Sequence, residues 1–149
     1  MEDPTPTRPP GAAPPGKVPP SAQRPLEVLC VEDNLVNLQL VRELLSMRPA
    51  VHLRTAVDGH SGIEAARMAR PDLMLLDVHL PDFSGTELMR RRRTAPARAG
   101  CRYVALSADA MPEHIELARV AGFDDYWTKP IDFSRFLAHI DSLIAAPRG

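Results

Sequence analysis

Cysteine is scarce in this chain of 149 residues, with only Cys30 and Cys101 present. That excludes a disulfide scaffold, and no Cys/His cluster has the spacing of a zinc site. Neither sign of charge dominates: 18 Lys+Arg stand against 19 Asp+Glu, a formal net charge of −1. A general nucleic-acid or membrane-surface binder would carry a basic excess. No apolar run approaches the ~18 residues that a membrane span needs. The N-terminus shows no apolar core of a secretory signal, so a reducing cytoplasm is the default expectation. What remains is 44% hydrophobic and 25% charged, ordinary values for a soluble globular protein. The length suits one domain.

Proline is abundant but unevenly spread. Nine of the 16 prolines fall between Pro4 and Pro25, where Val18 is the only large aliphatic residue besides Met1. Such a segment buries too little apolar surface to offset its ordering entropy. Residues 1–24 are therefore expected to form a disordered, partly polyproline tail or linker, a reading preferred here over a ligand for SH3-like modules. Residues 25–145 are expected to form the domain, and 146–149 a short C-terminal tail.

From Leu26 the pattern alternates between two periods. Leu26 to Val31, Val51 to Ala56, Leu73 to Leu76, Tyr103 to Leu106 and Asp125 to Thr128 read as strands. Leu35 to Met47, Gly59 to Arg70, Thr86 to Arg93, Pro112 to Ala121 and a last segment from Phe133 to Ile144 read as helices. Gly122 is placed to end the fourth helix. Phe133, Phe136, Leu137, Ile140 and Ile144 are expected to line the inner face of the fifth. Met68, Met74 and Met89 are expected to pack, and His52, His60, His114 and His139 to lie on the surface. Five strands alternating with five helices imply an α/β fold with a parallel sheet covered on both faces. The flavodoxin-like order 2-1-3-4-5 is preferred over a Rossmann-type order. Cys30 and Cys101 would then sit two strand spacings apart, beyond bridging distance.

Open parallel sheets bind ligands beyond the carboxyl ends of their strands. Strand 1 ends at Glu32 and Asp33, strand 3 at Asp77, strand 4 at Ser107 and strand 5 at Lys129. Three carboxylates, a hydroxyl and an ammonium therefore converge, with Asp77 central. Carboxylates at close quarters repel, and an oxygen-only set with room for water suits Mg²⁺. A metal, a lysine and a hydroxyl around one carboxylate suit phosphoryl transfer, with Asp77 as nucleophile.

VEDN at Val31–Asn34, LLDVHLPDFSG at Leu75–Gly85, ALSA at Ala105–Ala108 and YWTKPI at Tyr126–Ile131 resemble the receiver domain of two-component response regulators. The flavour is that of receivers from hybrid sensor histidine kinases. The resemblance covers about residues 25–145, and four motifs in order at successive strand ends make it specific. It implies that Asp77 is the phosphoacceptor, and that Glu32, Asp33, Asp77 and the backbone carbonyl of His79 hold Mg²⁺. It implies that Ser107 and Tyr126 are the switch pair, that Lys129 is the family's lysine, and that the Lys129–Pro130 bond is cis. The donor would be a histidine kinase or histidine phosphotransfer protein. A phosphorylation-dependent protein contact would run through residues 111–145, with no direct nucleic-acid binding and no membrane insertion. The chain reads either as a stand-alone regulator or as a receiver from a hybrid kinase.

Each motif also has a plain alternative. Asp77 alone is a strand-terminal turn former, Lys129 alone a surface lysine, and Glu32-Asp33-Asn34 and Ser107 alone are helix caps. Arg90 to Arg93 need be no more than a solvated helix face. A Mg²⁺-dependent phosphohydrolase working through an aspartyl phosphate is the competing function, but it usually wants a carboxylate where His79 stands. A flavodoxin-like FMN binder would be repelled by Glu32 and Asp33.

Overall fold

The computed structural model describes residues 24–82, 84–94 and 100–147, the side chains of residues 92–94 excepted. The proline-rich segment, apart from Arg24, lies outside them. Ten elements alternate: β1 Leu26–Val31, α1 Leu35–Leu45, β2 Val51–Ala56, α2 Gly59–Ala69, β3 Leu73–Asp77, α3 Gly85–Thr94, β4 Arg102–Ser107, α4 Pro112–Ala121, β5 Asp125–Thr128 and α5 Phe133–Ala145. The strands form one parallel sheet in the order β2-β1-β3-β4-β5, as the sequence predicts.

Period-two alternation along the strands sorts the core into two halves. Leu26, Val28 and Cys30 of β1, Leu73 and Leu75 of β3, and Val104 and Leu106 of β4 face α1 and α5. There they meet Leu38, Val41, Phe136 and Ile140. Leu29 and Val31, Met74 and Leu76, and Ala105 face the other way, towards Ala66 of α2, Leu88 and Met89 of α3 and Ala118 of α4. Both halves need apolar residues, so β3 is an unbroken LMLL run before Asp77. The chain goes from β1 outward to β2, then back past β1 to β3, β4 and β5. Right-handed crossovers with that reversal put α1 on one face and α2–α4 on the other.

Helix ends follow the sequence. The Asn34 side chain accepts from the N–H groups of Val36 and Asn37, and Asp58 and Asp132 accept from Ser61 and Arg135. Gly122, at φ 112°, closes α4. Neither cysteine is in a disulfide, and burial, with the Glu32 charge behind it, pushes the Cys30 thiol well up. No described helix is long and apolar enough to cross a membrane.

Three expectations need correction. Phe133 is 51% exposed, because it is the first residue of α5 and a helical side chain tilts towards the N-terminus, which carries this ring beyond the helix start. Met68 is 73% exposed. It lies two residues beyond Ala66 and so points away from the buried Gly59–Gly62–Ala66 face. His139 is no surface histidine: its ring packs edge-on against Trp127 with centroids 5.2 Å apart. Trp127 also meets Phe136 at 5.8 Å and donates from Nε1 to Asp125 at 2.8 Å, so the indole organises the end of α5.

Gly62 is where α2 comes closest to the sheet. A Cβ there would lie 2.9 and 3.0 Å from the two γ-methyls of Val31, a buried β-branched side chain with little rotamer freedom. Gly62→Ala should therefore lower stability by about 1–2 kcal/mol despite alanine's better helix propensity. Val31→Ala in the same chain should recover part of that loss. Urea unfolding of the two single variants and the double variant measures this coupling.

Candidate functional site

The pairing of β1 with β3 sets Val31 beside Leu76. One step further, Glu32 stands beside Asp77, both on the face that α1 and α5 cover. Neither can escape to solvent: Glu32 is 1% exposed and Asp77 4%. Asp33 is next along the chain and exposed. Carboxylate oxygens of Glu32, Asp33 and Asp77 lie within 4.8 Å of one another, the one such cluster among the described residues.

Local chain geometry holds each group. The Glu32 carboxylate accepts from the N–H of Asn34 at 3.1 Å, so the residue that caps α1 also fixes Glu32. The Asp77 carboxylate accepts from the N–H of His79 at 2.9 Å. The following loop folds back on the strand end, with the Gly85 N–H donating to the Val78 carbonyl at 3.0 Å. A Cβ on Gly85 would lie 2.8 Å from the Asp77 carbonyl oxygen, so only glycine permits this approach.

Lys129 answers the buried charge. Its Nζ lies 2.7 Å from Glu32 and 3.3 Å from Asp77. The sequence places it on the far side of Asp77, yet its nearer partner is Glu32 on β1. The Lys129 N–H donates to the Ser107 carbonyl at 2.8 Å, which anchors the base of this side chain. The following Lys129–Pro130 peptide bond is cis. Burial, reinforced by Asp77, pushes the Glu32 carboxyl up to about 7, with Lys129 and the Asn34 N–H acting in the opposite direction. For Asp77, burial pushes upward as well, but the His79 N–H, Glu32, Lys129 and Asp33 outweigh it and hold the carboxyl below its usual range. Burial disfavours the Lys129 ammonium, and the two carboxylates outweigh that and raise it. Asp77 is thus ionised at neutral pH while Glu32 is balanced near it.

Ser107 and Tyr126 occupy the other face. Ser107, buried at the end of β4, accepts through Oγ from the Asp109 N–H at 3.0 Å. Tyr126 is register-paired with Ala105 and donates from its hydroxyl to the Asp109 carbonyl at 2.6 Å. The two residues share a cavity of about 190 Å³ with His79, His114, Leu117 and Ala118. The predicted residues therefore form two groups rather than one. Glu32, Asp33, Asp77 and Lys129 are the charged group, and Ser107 and Tyr126 the second, with His79 contributing its main chain to the first and lining the cavity of the second.

Asp109 and His114 join the second group, and no motif in the sequence points to either. Asp109 binds Ser107, Tyr126 and the start of α4, and His114 pairs with its carboxylate. The A-D after Ser107 was the available signal, since Asp two residues past a strand end is a common loop former.

Residues 28–141 match the family model of the response regulator receiver domain. The polar-differentiation response regulator DivK of Brucella anthropi is 34% identical over 120 residues, covering 80% of this chain and 97% of that protein. A putative response regulator from Chloroflexus aurantiacus superposes with a TM-score of 0.73 at 23% identity, over 83% of this chain and 100% of that one. A crystal structure of the Saccharomyces cerevisiae histidine phosphotransfer protein Ypd1 with the receiver domain of its downstream response regulator Ssk1 gives a TM-score of 0.72 at 24% identity. It covers 80% of this chain and 89% of its counterpart. These two structures share the fold. The family model and the DivK relative go further, because they match the sequence itself across the sheet whose strand ends carry the acidic cluster. The chain accordingly belongs to the response regulator receiver domains, signalling modules of two-component phosphorelays rather than metabolic enzymes.

Proposed function

We propose that this receiver accepts a phosphoryl group from a phosphohistidine donor onto Asp77. One observation carries the reading: an ionised, buried aspartate at the central strand end, with Lys129 at 3.3 Å and two further carboxylates beside it. An Asp77 oxygen bonds to phosphorus as the phosphorus–nitrogen bond breaks, and that electron pair leaves with the donor imidazole. Lys129 neutralises the incoming oxygens, and Ser107 donates its hydroxyl proton to one of them. The three carboxylates form an all-oxygen, hard donor set, which fits Mg²⁺. Glu32, Asp33, Asp77 and the His79 carbonyl would hold the ion, which supplies charge neutralisation on the transferring group. The donor is a histidine kinase or histidine phosphotransfer protein in the cytoplasm. The histidine phosphotransfer protein in the yeast complex supports that class of partner.

The output follows from the second group. A phosphoryl oxygen draws Ser107 towards Asp77, and the β4–α4 loop moves with it. Tyr126, already facing that loop, follows into the shared cavity. The surface that changes is α4, β5 and α5, within residues 111–145, and it is the face offered to a phosphorylation-dependent protein partner. Each state needs only a few kcal/mol of bias, so the unphosphorylated domain already samples the active form.

Asp77→Asn should abolish base-labile phosphate incorporation from acetyl phosphate with Mg²⁺, read by intact-protein mass. Labelling of that variant at wild-type stoichiometry would show that another residue is the acceptor. A second outcome concerns pH. Metal binding needs Glu32 deprotonated, and its carboxyl sits at about 7. Below that value Mg²⁺ must displace a proton. Apparent Mg²⁺ affinity should fall by roughly five- to tenfold between pH 7.5 and 6. A Glu32→Gln variant should bind more weakly with a flatter profile. Calorimetric titration at both pH values checks it, and equal slopes for the two proteins would remove Glu32 from the metal site.

A further inference from the structure

Every polar group of Asp109 is engaged, and the partners form a chain. Its N–H donates to Ser107 Oγ at 3.0 Å, and its carbonyl accepts from the Tyr126 hydroxyl at 2.6 Å. One carboxylate oxygen accepts from the Met111 N–H at 2.8 Å, and the other pairs with Nδ1 of His114. Met111 is the N-cap of α4 and makes no side-chain cap bond of its own. Asp109 therefore fixes the chain at the N-cap residue, one step before α4 begins. The Met111 N–H and then the His114 hydrogen bond hold the Asp109 carboxyl below its usual range, against a smaller opposing effect of burial.

We infer that Asp109 and His114 are the positioning pair that couples Ser107 and Tyr126 to α4. This rests on the acceptor reading of Asp77. Ser107 cannot shift without moving the Asp109 peptide, because that peptide's N–H lies on its hydroxyl. The same peptide's carbonyl carries the Tyr126 hydroxyl, so the two switch side chains move as one. His114, in the first turn of α4, holds the Asp109 carboxylate, and the helix is drawn along. Without the pair, Ser107 and Tyr126 still respond to a phosphoryl group, but α4 does not follow. The motion has room, because the cavity of about 190 Å³ lies between Ser107, Tyr126, Leu117 and Ala118. An exposed imidazole thus has a defined task in signal output, whereas the neighbouring Glu116–Arg119 pair on α4 closes on the same helix and links it to nothing else.

The test is amide NMR of the full chain titrated with beryllofluoride and Mg²⁺. It compares wild type with His114→Ala, with Asp109→Asn, and with Glu116→Gln as an α4 charge control. His114 is exposed, so its alanine variant leaves the core intact. Asp109→Asn keeps an acceptor for the Met111 N–H and removes the charge that holds His114. In wild type and Glu116→Gln, shifts should reach Asp77, Ser107, Tyr126 and residues 111–121. In His114→Ala and Asp109→Asn, the shifts at residues 111–121 should fall to less than half while those at Ser107 and Tyr126 persist. The double variant should lose no more than either single one, as partners in one interaction do. Full-amplitude α4 shifts in both single variants, or additive losses in the double, would overturn the coupling while leaving the acceptor reading intact. A wild-type chain that gives no beryllofluoride response at Asp77 overturns the acceptor reading, and the coupling with it.

Discussion

Two carboxylates in adjacent strand register, both removed from water, must be compensated or the sheet end will not close. Lys129 does this in the described structure, with Nζ between Glu32 and Asp77. Breaking such an arrangement by removing one partner leaves an uncompensated buried charge, which costs far more than an exposed ion pair is worth. The rest of the site is arranged around this constraint. The Asn34 cap and the His79 N–H hold the two carboxylates, and the Ser107 carbonyl anchors the Lys129 backbone. Gly85 lets the next loop close over Asp77. A metal arriving here would meet carboxylates already oriented and a lysine already sharing their charge.

The sheet separates the charged groups from the cavity. Its α1/α5 face ends in acidic groups and an ammonium. Its α2–α4 face ends in a hydroxyl, a tyrosine and a cavity. This division follows from parity along the strands: Glu32 continues the Leu26–Val28–Cys30 set and Asp77 the Leu73–Leu75 set on one face, whereas Ser107 continues the Tyr103–Ala105 set on the other. The two groups meet at the strand ends, where His79 gives its N–H to Asp77 and lines the cavity beside Ser107 and Tyr126.

Much of this was legible beforehand. The unbroken LMLL run called for a strand buried on both faces, and the order of strand-terminal residues brought Glu32, Asp33, Asp77 and Lys129 together. Helical spacing failed at Phe133 because a period says which face a residue is on and not that the first side chain of a helix tilts out beyond its start. It failed at Met68 because one apolar residue on an Ala- and Gly-rich helix does not define a face. His139 was unreadable for another reason: its burial depends on Trp127, an indole where smaller side chains would leave the ring exposed. Asp109 and His114 were hidden because their contacts converge from a strand end, a loop and a helix turn, none of which has a period. The reach of Lys129 to Glu32 depends on a side chain crossing strands that sequence order separates.

The opposite end of the sheet has its own fixed point. Arg24 grips Asp72 through two hydrogen bonds of 2.7 Å, and Asp72 also accepts from the Glu27 N–H at 2.9 Å. This clamp lies at the amino ends of β1 and β3, roughly 20 Å from Glu32 at strand rise. The chain before Arg24 thus meets a tether before it meets the sheet. That pair ties the start of β1 to the start of β3 at the end of the sheet opposite the acidic cluster, so its loss should loosen the strand starts and leave Glu32, Asp77 and Lys129 in place.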